Sequence, residues 1–310
     1  MVPTPHPVAI SVVVPVFEEA AGIDGTLAEL LPRLGEDAEV VLVDDGSTDG
    51  SDAKCDAWAR RDPRVRVVHH ARNAGYGEAL KTGASLARGP LLLFFDADGQ
   101  HDPDAIGQLV ERHRRGDVRL VVGRRRNASR VVPWRAPAKW VLGRVAELLT
   151  RTRIPDLNCG LRLIEADVFG RLLPLLPAGF SLSTTLTVSC LKLGLPIAWV
   201  EVSVRPRSGS STVRPLRDGY QTLLLMVRLV ALFAPLTFFM PIAVGAFGAS
   251  VLYGTVVAVL HGQGFPTAGV FGGIAGLLVF LLGIVCDQIS ALRLEMLGLR
   301  SASVPRREGP

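Results

Sequence analysis

Between Leu229 and Cys286 the sequence has no Asp, Glu, Lys or Arg. So long an uncharged stretch exceeds what a soluble core helix needs, which argues against a wholly soluble chain and for contact with a bilayer. Cysteine is scarce as well, limited to Cys55, Cys159, Cys190 and Cys286 in 310 residues. These four form no Cys-x-x-Cys pair and no metal-ligand spacing, so a zinc site and a disulfide framework are excluded and buried thiols in a reducing compartment are expected. The N-terminus lacks a basic run and its apolar segment, Val8 to Phe17, is broken by Pro15, so no cleaved signal peptide is expected. Neither Gly-x-Gly-x-x-Gly nor a Gly-Lys-Ser/Thr phosphate loop occurs.

Charge is plentiful in roughly the first 210 residues, enough chain for one sizeable α/β core. The net charge of +5 gathers in Arg124-Arg125-Arg126, in Arg205 to Arg217 and in the C-terminal tail. That clustering suits phosphate groups and a membrane surface, and no nucleic-acid partner is expected. The expected organisation is a catalytic domain over 1–210, a basic interfacial helix over 211–235, two membrane helices over 236–287 and a basic amphipathic tail over 288–310.

The run Leu236 to Leu260 is long enough to cross a hydrocarbon core of about 30 Å as a helix. A second run, Ala268 to Cys286, follows the turn-forming link His261 to Thr267, so a hairpin is expected. Basic residues flank both outer ends, Arg214, Arg217 and Arg228 before it and Arg293, Arg300, Arg306 and Arg307 after it. The positive-inside bias then predicts a multi-pass protein of the cell membrane with both termini and the catalytic domain cytosolic. Asp287 to Leu299 reads as a helix at the interface. Gly269, Gly272, Gly273 and Gly276 allow close helix approach, and Gly269-x-x-x-Gly273 suggests homo-oligomerisation through these helices.

In the charged part, short apolar runs at Ala9 to Val14, Val40 to Val43, Val65 to Val68, Leu91 to Phe95 and Leu120 to Val122 alternate with helical spacing. This predicts a mostly parallel, Rossmann-like sheet with helices on both faces. Ligands sit beyond the carboxyl ends of such strands, where this chain places Glu18-Glu19, Asp44-Asp45 and Asp96-Ala97-Asp98. In extended backbone Asp96, Asp98 and Gln100 point the same way and can face one Mg²⁺ or Mn²⁺, hard cations that take oxygen donors and prefer a diphosphate as partner. Asp44-Asp45-Gly46-Ser47 can cap a helix or accept from a nucleoside. The glycines of Asn73-Ala-Gly75-Tyr-Gly77 suit either a phosphate cradle or close helix packing. His69, His70 and His101 lack metal spacing and read as structural.

Together these segments resemble a family 2 glycosyltransferase of the GT-A fold, of the polyprenyl-phosphate (dolichol-phosphate) hexose synthase type. The motifs are Val14-Pro15-Val16-Phe17-Glu18-Glu19, Val43-Asp44-Asp45-Gly46-Ser47, Asn73 to Gly83, Asp96-Ala97-Asp98-x-Gln100, Gly123-Arg124-Arg125, Asp156-x-x-Cys159-Gly160-x-Arg162 and Arg205-Pro206-Arg207-x-Gly209-x-Ser211. The resemblance implies a nucleotide-sugar donor and a polyprenyl or dolichyl phosphate acceptor. It assigns Pro15, Phe17, Glu19, Val43 and Asp45 to the nucleoside, Asp96 and Ala97 to the nucleotide sugar, and Asp98 with Gln100 to the metal. It gives the lipid phosphate and diphosphate to Arg125, Arg205, Arg207, Ser211 and Arg214, making Asp96, Asp98 and Arg125 the expected catalytic set. The family's usual Tyr-Asn is Phe17-Glu18 here, its Gly-x-Ser-Lys lacks the lysine, and Thr185 stands where an acid is usual in the acceptor helix. A processive polysaccharide synthase would carry Gln-x-x-Arg-Trp and more membrane helices, and neither is present. A transferase using another acceptor and a non-catalytic nucleotide-binding scaffold share the same motifs.

Overall fold

The structure is a computed structural model describing residues 8–126, 136–179, 181–205, 215–262 and 264–296. Its contacts divide the chain into two units, 1–214 and 215–310.

In the first unit strands and helices alternate as β1 (Ile10–Val16), α1 (Ile23–Leu30), β2 (Ala38–Asp44), α2 (Ser51–Arg61), β3 (Val65–His69), α3 (Tyr76–Leu86), β4 (Leu91–Phe94), α4 (Ala105–Arg114) and β5 (Leu120–Arg125). Then come α5 (Ala136–Thr150), β6 (Arg162–Glu165), α6 (Ala166–Leu172), α7 (Leu182–Lys192) and β7 (Ile197–Val202). The seven strands lie in the order β3-β2-β1-β4-β6-β5-β7. Strands β1 to β4 run parallel, as do β5 and β7, while β6 is antiparallel to both neighbours. The sheet is therefore mixed, and β6 and β7 add to the five expected strands. Four residues beginning with an arginine give β6 almost no periodic signal, and the fully buried Arg162 is held there by hydrogen bonds to Cys159, Leu157 and Thr187 instead.

The apolar runs are buried as β-branched strand interiors should be: Val12, Val13, Val14, Val40, Val43 and Leu93 are all inaccessible. Helix α3 lies close on this sheet because Gly83 has no side chain, since a Cβ there would stand 2.3 Å from Val13 Cγ1. The parallel register Val16↔Asp44 and Val13↔Phe94 brings the ends of β1, β2 and β4 to one edge. The order reverses between β1 and β4, which opens the ligand crevice of such sheets at that edge.

The second unit holds α8 (Pro215–Phe233), α9 (Pro235–His261) and α10 (Thr267–Met296). Helices α9 and α10 are long and apolar enough to cross a membrane. Pro235 starts α9, where a missing N–H costs nothing, and Gly262 ends it in the left-handed region at φ 63°. Leu225, Leu229 and Leu232 form one buried face of α8. A separate helix from Asp287 was expected, but α10 continues unbroken through Asp287 to Met296, because no glycine, proline or cap interrupts it there. The buried positions of α10 are Gly269, Gly276, Gly283 and Ser290, a seven-residue repeat of small side chains. These glycines serve the contact within the hairpin: a Cβ on Gly276 would meet Phe247 N at 2.9 Å and Ala243 O at 3.1 Å.

Candidate active site

Three loops at the carboxyl edge are tied together before any ligand is considered. Glu18 adopts φ 54°, a conformation that side chains other than Asn and Asp rarely take. Ser47 Oγ accepts from the Glu18 N–H (3.1 Å), Ser51 Oγ from the Glu19 N–H (3.0 Å) and Asp49 Oδ2 from the Ala20 N–H (2.9 Å). Glu18 Oε1 accepts in return from the N–H and hydroxyl of Thr48 (2.9 and 3.0 Å). The Ser-Thr-Asp segment after β2 thus braces the loop after β1.

Asp45 is 2% exposed. Its carboxylate accepts from the N–H groups of Ala74 and Gly75, both at 2.8 Å, and meets His70 Nδ1 at 2.7 Å. His70 Nε2 in turn lies 2.9 Å from Thr82 Oγ1. Asp44 accepts from the Ser47 N–H and contacts His69 Nδ1 at 3.0 Å, and the two bonds to Asp44 and Asp56 raise the His69 pKa against the opposing effect of burial. The two histidines are structural, as expected, but what they hold are the acids at the strand end. Asp45 anchors the turn before α3 with both oxygens, so its contribution to nucleoside contact is constrained by those bonds.

That turn delivers Tyr76. The glycines on either side of it press on the 177–178 backbone, where a Cβ on Gly75 would lie 2.8 Å from Ala178 O and one on Gly77 2.5 Å from Pro177 O. Ala178 O also accepts from the Glu78 N–H at 2.9 Å. Close packing, not a phosphate cradle, accounts for both glycines. Tyr76 O–H then donates to Asp96 Oδ1 at 2.8 Å. Burial and the negative charge of Asp96 push this phenol well above its usual pKa, so it stays a donor.

Asp96 retains a quarter of its side-chain surface, and His101 Nε2 lies 3.4 Å from its Oδ2. Burial alone would raise its pKa, but His101, Tyr76 and the charge of Arg162 outweigh burial and lower it. His101 is 5% exposed, and its Nδ1 is buried without a partner. Gly160 closes the other side of Asp96: a Cβ there would stand 2.0 Å from Oδ2.

The backbone after β4 is not extended as expected but turns at Ala97–Asp98. Gly99 takes φ 67°, and Asp98 Oδ1 accepts from the Gln100 N–H at 3.1 Å, an Asx turn. Asp96, Asp98 and Gln100 therefore share one loop but not one extended face, and Asp96 is turned to Tyr76 and His101. Asp98 and Gln100 are oxygen donors of the kind that hold Mg²⁺ or Mn²⁺ when a diphosphate supplies further ligands. Among the described residues no group of three or more His, Cys, Asp or Glu side chains is placed to hold an ion.

Arg125 does not stand open to a phosphate. Its Nε and one Nη donate to Asp156 at 2.7 and 2.9 Å, a bidentate pair with Asp156 only 7% exposed. Its pKa is raised by that pairing. Arg162 is fully buried, donating to Cys159 O, Thr187 Oγ1 and Leu157 O at 2.7, 2.7 and 2.9 Å. The two arginines shape the 156–160 loop that carries Gly160 to Asp96.

Other expected contacts move similarly. Val43 is inaccessible in a cluster with Val41 and Ala79, and Ala97 is 3% exposed with its carbonyl bonded by Thr26 Oγ1 (2.9 Å), so neither side chain faces a ligand. Phe17 is 45% exposed, whereas Pro15 and Glu19 are partly buried. Arg205 pairs with Glu29 at 2.6 Å. Thr185 is inaccessible, its hydroxyl unpartnered, so it does not stand in for a surface acid. Arg207, Ser211 and Arg214 lie outside the described residues.

Residues 11–173 match the family described as Glycosyl transferase family 2, more than half of the chain. The chain belongs to glycosyl transferase family 2. Residues 234–292 match a second model, the GtrB C-terminal hairpin, over α9 and most of α10. Among curated relatives, the undecaprenyl-phosphate 4-deoxy-4-formamido-L-arabinose transferase of Pseudomonas paraeruginosa is 36% identical over 198 residues, 58% of this chain and 57% of that protein. The dodecaprenyl-phosphate galacturonate synthase of Rhizobium johnstonii is 30% identical over 51% of this chain and 48% of its own length. The undecaprenyl-phosphate mannosyltransferase of Micrococcus luteus is 30% identical over 61% of this chain and 82% of its own. The match thus spans about half the length of the first two. In three dimensions, glucosyl-3-phosphoglycerate synthase of Mycobacterium tuberculosis, crystallised with Mn²⁺, UDP-glucose and phosphoglyceric acid, superposes with a TM-score of 0.57 at 23% identity, covering 71% of this chain and 79% of that one. That likeness establishes the GT-A-like fold.

Proposed function

We propose that this chain is a membrane-bound, inverting glycosyltransferase that moves a hexose from a UDP- or GDP-sugar to polyprenyl phosphate. The observation that carries the reading is the presence, on one chain, of the Asp45–Tyr76–Asp96 edge and of a segment matching the GtrB C-terminal hairpin. Three relatives whose names specify polyprenyl-phosphate acceptors support it.

In this reading the nucleoside lies over Pro15, Phe17 and Glu19, and Asp96 accepts from the sugar. Asp98 and Gln100 hold Mg²⁺ or Mn²⁺, which when bound supplies Lewis-acid stabilisation of the departing diphosphate. A phosphate monoester has a second pKa of about 6, so the acceptor is anionic near neutral pH and attacks the anomeric carbon without a protein base. The replacement of the usual acid by a buried Thr185 is then tolerated. Arg205, Arg207, Ser211 and Arg214 meet the lipid phosphate, while Arg125 acts through Asp156 to hold the 156–160 loop. The hairpin keeps the site in the plane where the lipid is found, with the catalytic unit and both termini on the cytosolic side.

The test is transfer of radiolabel from a panel of UDP- and GDP-sugars to polyprenyl phosphate, by purified protein in detergent with Mg²⁺ or Mn²⁺. Label extracted into the organic phase supports the reading and identifies the donor. Absence of transfer from every donor, with nucleotide still bound, overturns the acceptor assignment.

A further inference from the structure

Asp96 needs a defined rotamer to accept from a sugar hydroxyl, because a carboxylate that swings by an ångström loses the geometry on which transfer depends. Its own backbone does not provide this, since the chain has left β4 and is entering the turn at Ala97. Three neighbours surround the carboxylate: the missing side chain of Gly160, His101 at 3.4 Å from Oδ2, and Tyr76 at 2.8 Å from Oδ1. Of these Tyr76 makes the shortest contact, and it alone comes from outside the two loops that border Asp96 directly.

The placement of Tyr76 is itself built. Asp45 grips the two residues before it through their N–H groups, and the following turn of α3 is bonded to Ala178 O through Glu78 N–H. Gly75 and Gly77, on either side, permit the approach to the 177–178 backbone that sets the ring position. A residue so braced spans from the end of β2 to the end of β4. We infer that Tyr76 is a positioning residue: its hydroxyl fixes the Asp96 carboxylate in the orientation that receives the donor sugar, and couples that orientation to the Asp45 strand end. The inference rests on the glycosyltransferase reading for the nature of the donor, while the Tyr76–Asp96 coupling stands on geometry alone.

The experiment is a double-mutant cycle in the full-length protein with Tyr76→Phe, Asp96→Ala and the double variant. Phenylalanine keeps the ring and removes the hydroxyl that donates to Asp96. Tyr76→Phe is expected to lower kcat about ten-fold, equivalent to about 1.4 kcal/mol, with the donor KM changed less than about two-fold. In the Asp96→Ala background, where no acceptor remains for the hydroxyl, the same substitution is expected to have little further effect. An equal fold-loss in both backgrounds would overturn the inference, because a merely structural tyrosine, or one touching substrate directly, acts whatever residue stands at 96. The same four proteins are compared by urea unfolding. If wild-type protein transfers no sugar, the proposed function fails while this second cycle still reports whether Tyr76 holds Asp96, and additivity there overturns the positioning role independently.

Discussion

Gly160→Ala is a one-methyl perturbation whose consequence can be worked from distances. The added Cβ would lie 2.0 Å from Asp96 Oδ2, 2.7 Å from Cγ and 2.9 Å from Oδ1, against the 3.0 Å below which such contacts essentially never occur. The carboxylate must retreat by at least the difference between 3.0 and 2.0 Å, and in retreating it leaves Tyr76 and His101. A hydrogen bond to a charged group contributes about 1.5–3 kcal/mol. Gly160 is not among the positive-φ glycines, so alanine also regains about 0.4–1 kcal/mol by restricting the unfolded chain. The net cost is about 1–2 kcal/mol, or a Tm lowered by roughly 2–8 °C for a unit of this size. Transfer activity should fall much further, on the order of a hundred-fold, because an ångström of misplacement acts on the barrier itself. Thermal unfolding in detergent and the transfer assay measure the two effects. Gly170→Ala, with nothing within 4 Å of the added methyl, is the matched control and should be neutral or slightly stabilising. A Gly160→Ala protein with unchanged Tm and turnover would refute the argument that Asp96 is confined there.

Asp98→Ala should abolish metal-dependent transfer while leaving Tm within a few degrees, and metal titration of the transfer rate checks it; full activity would remove the metal role. Arg125→Ala should cost about 2–4 kcal/mol in urea unfolding because it strands the buried Asp156, and Arg125→Ala/Asp156→Ala should be less damaging than Arg125→Ala alone. Burial raises the pKa of Asp156, but the Arg125 bonds and charge more than reverse this, so its folded value lies below an unfolded value of about 3.9. The stability it adds is then present above about pH 4 and lost as pH falls through the folded value. His69 is shifted upward, so its contribution is present below about pH 6.5 and fades above it. Urea midpoints should thus be highest near pH 5–6, with the acid limb reduced by Asp156→Asn and the alkaline limb by His69→Gln. Gly276→Leu should force α9 and α10 apart, visible as a lower melting temperature of the hairpin in detergent, whereas Gly262→Asn at the helix end should be tolerated.

Much of the architecture was readable from periodicity. The five apolar runs became β1 to β5 because strands buried on both faces need continuous apolar residues, and the uncharged stretch became two helices for want of any charged group that water would hold. The acids at the strand ends were recognisable because ligands of such sheets sit beyond the carboxyl ends of the strands. Strand β6 escaped notice because Arg162 breaks the apolar pattern, and its burial depends on Cys159, Leu157 and Thr187.

Composition and local spacing therefore determined the class of fold, the membrane hairpin and the cluster of acids at the carboxyl edge. Which acid faces what was left to tertiary structure. Asp45 became an anchor for the turn before α3, Arg125 a partner of Asp156, and Tyr76 the hydroxyl that reaches Asp96. The physical reason is that a strand's hydrophobic period is a property of neighbours in sequence, whereas a hydrogen bond links groups 20 or 31 residues apart whose meeting only the packed sheet arranges.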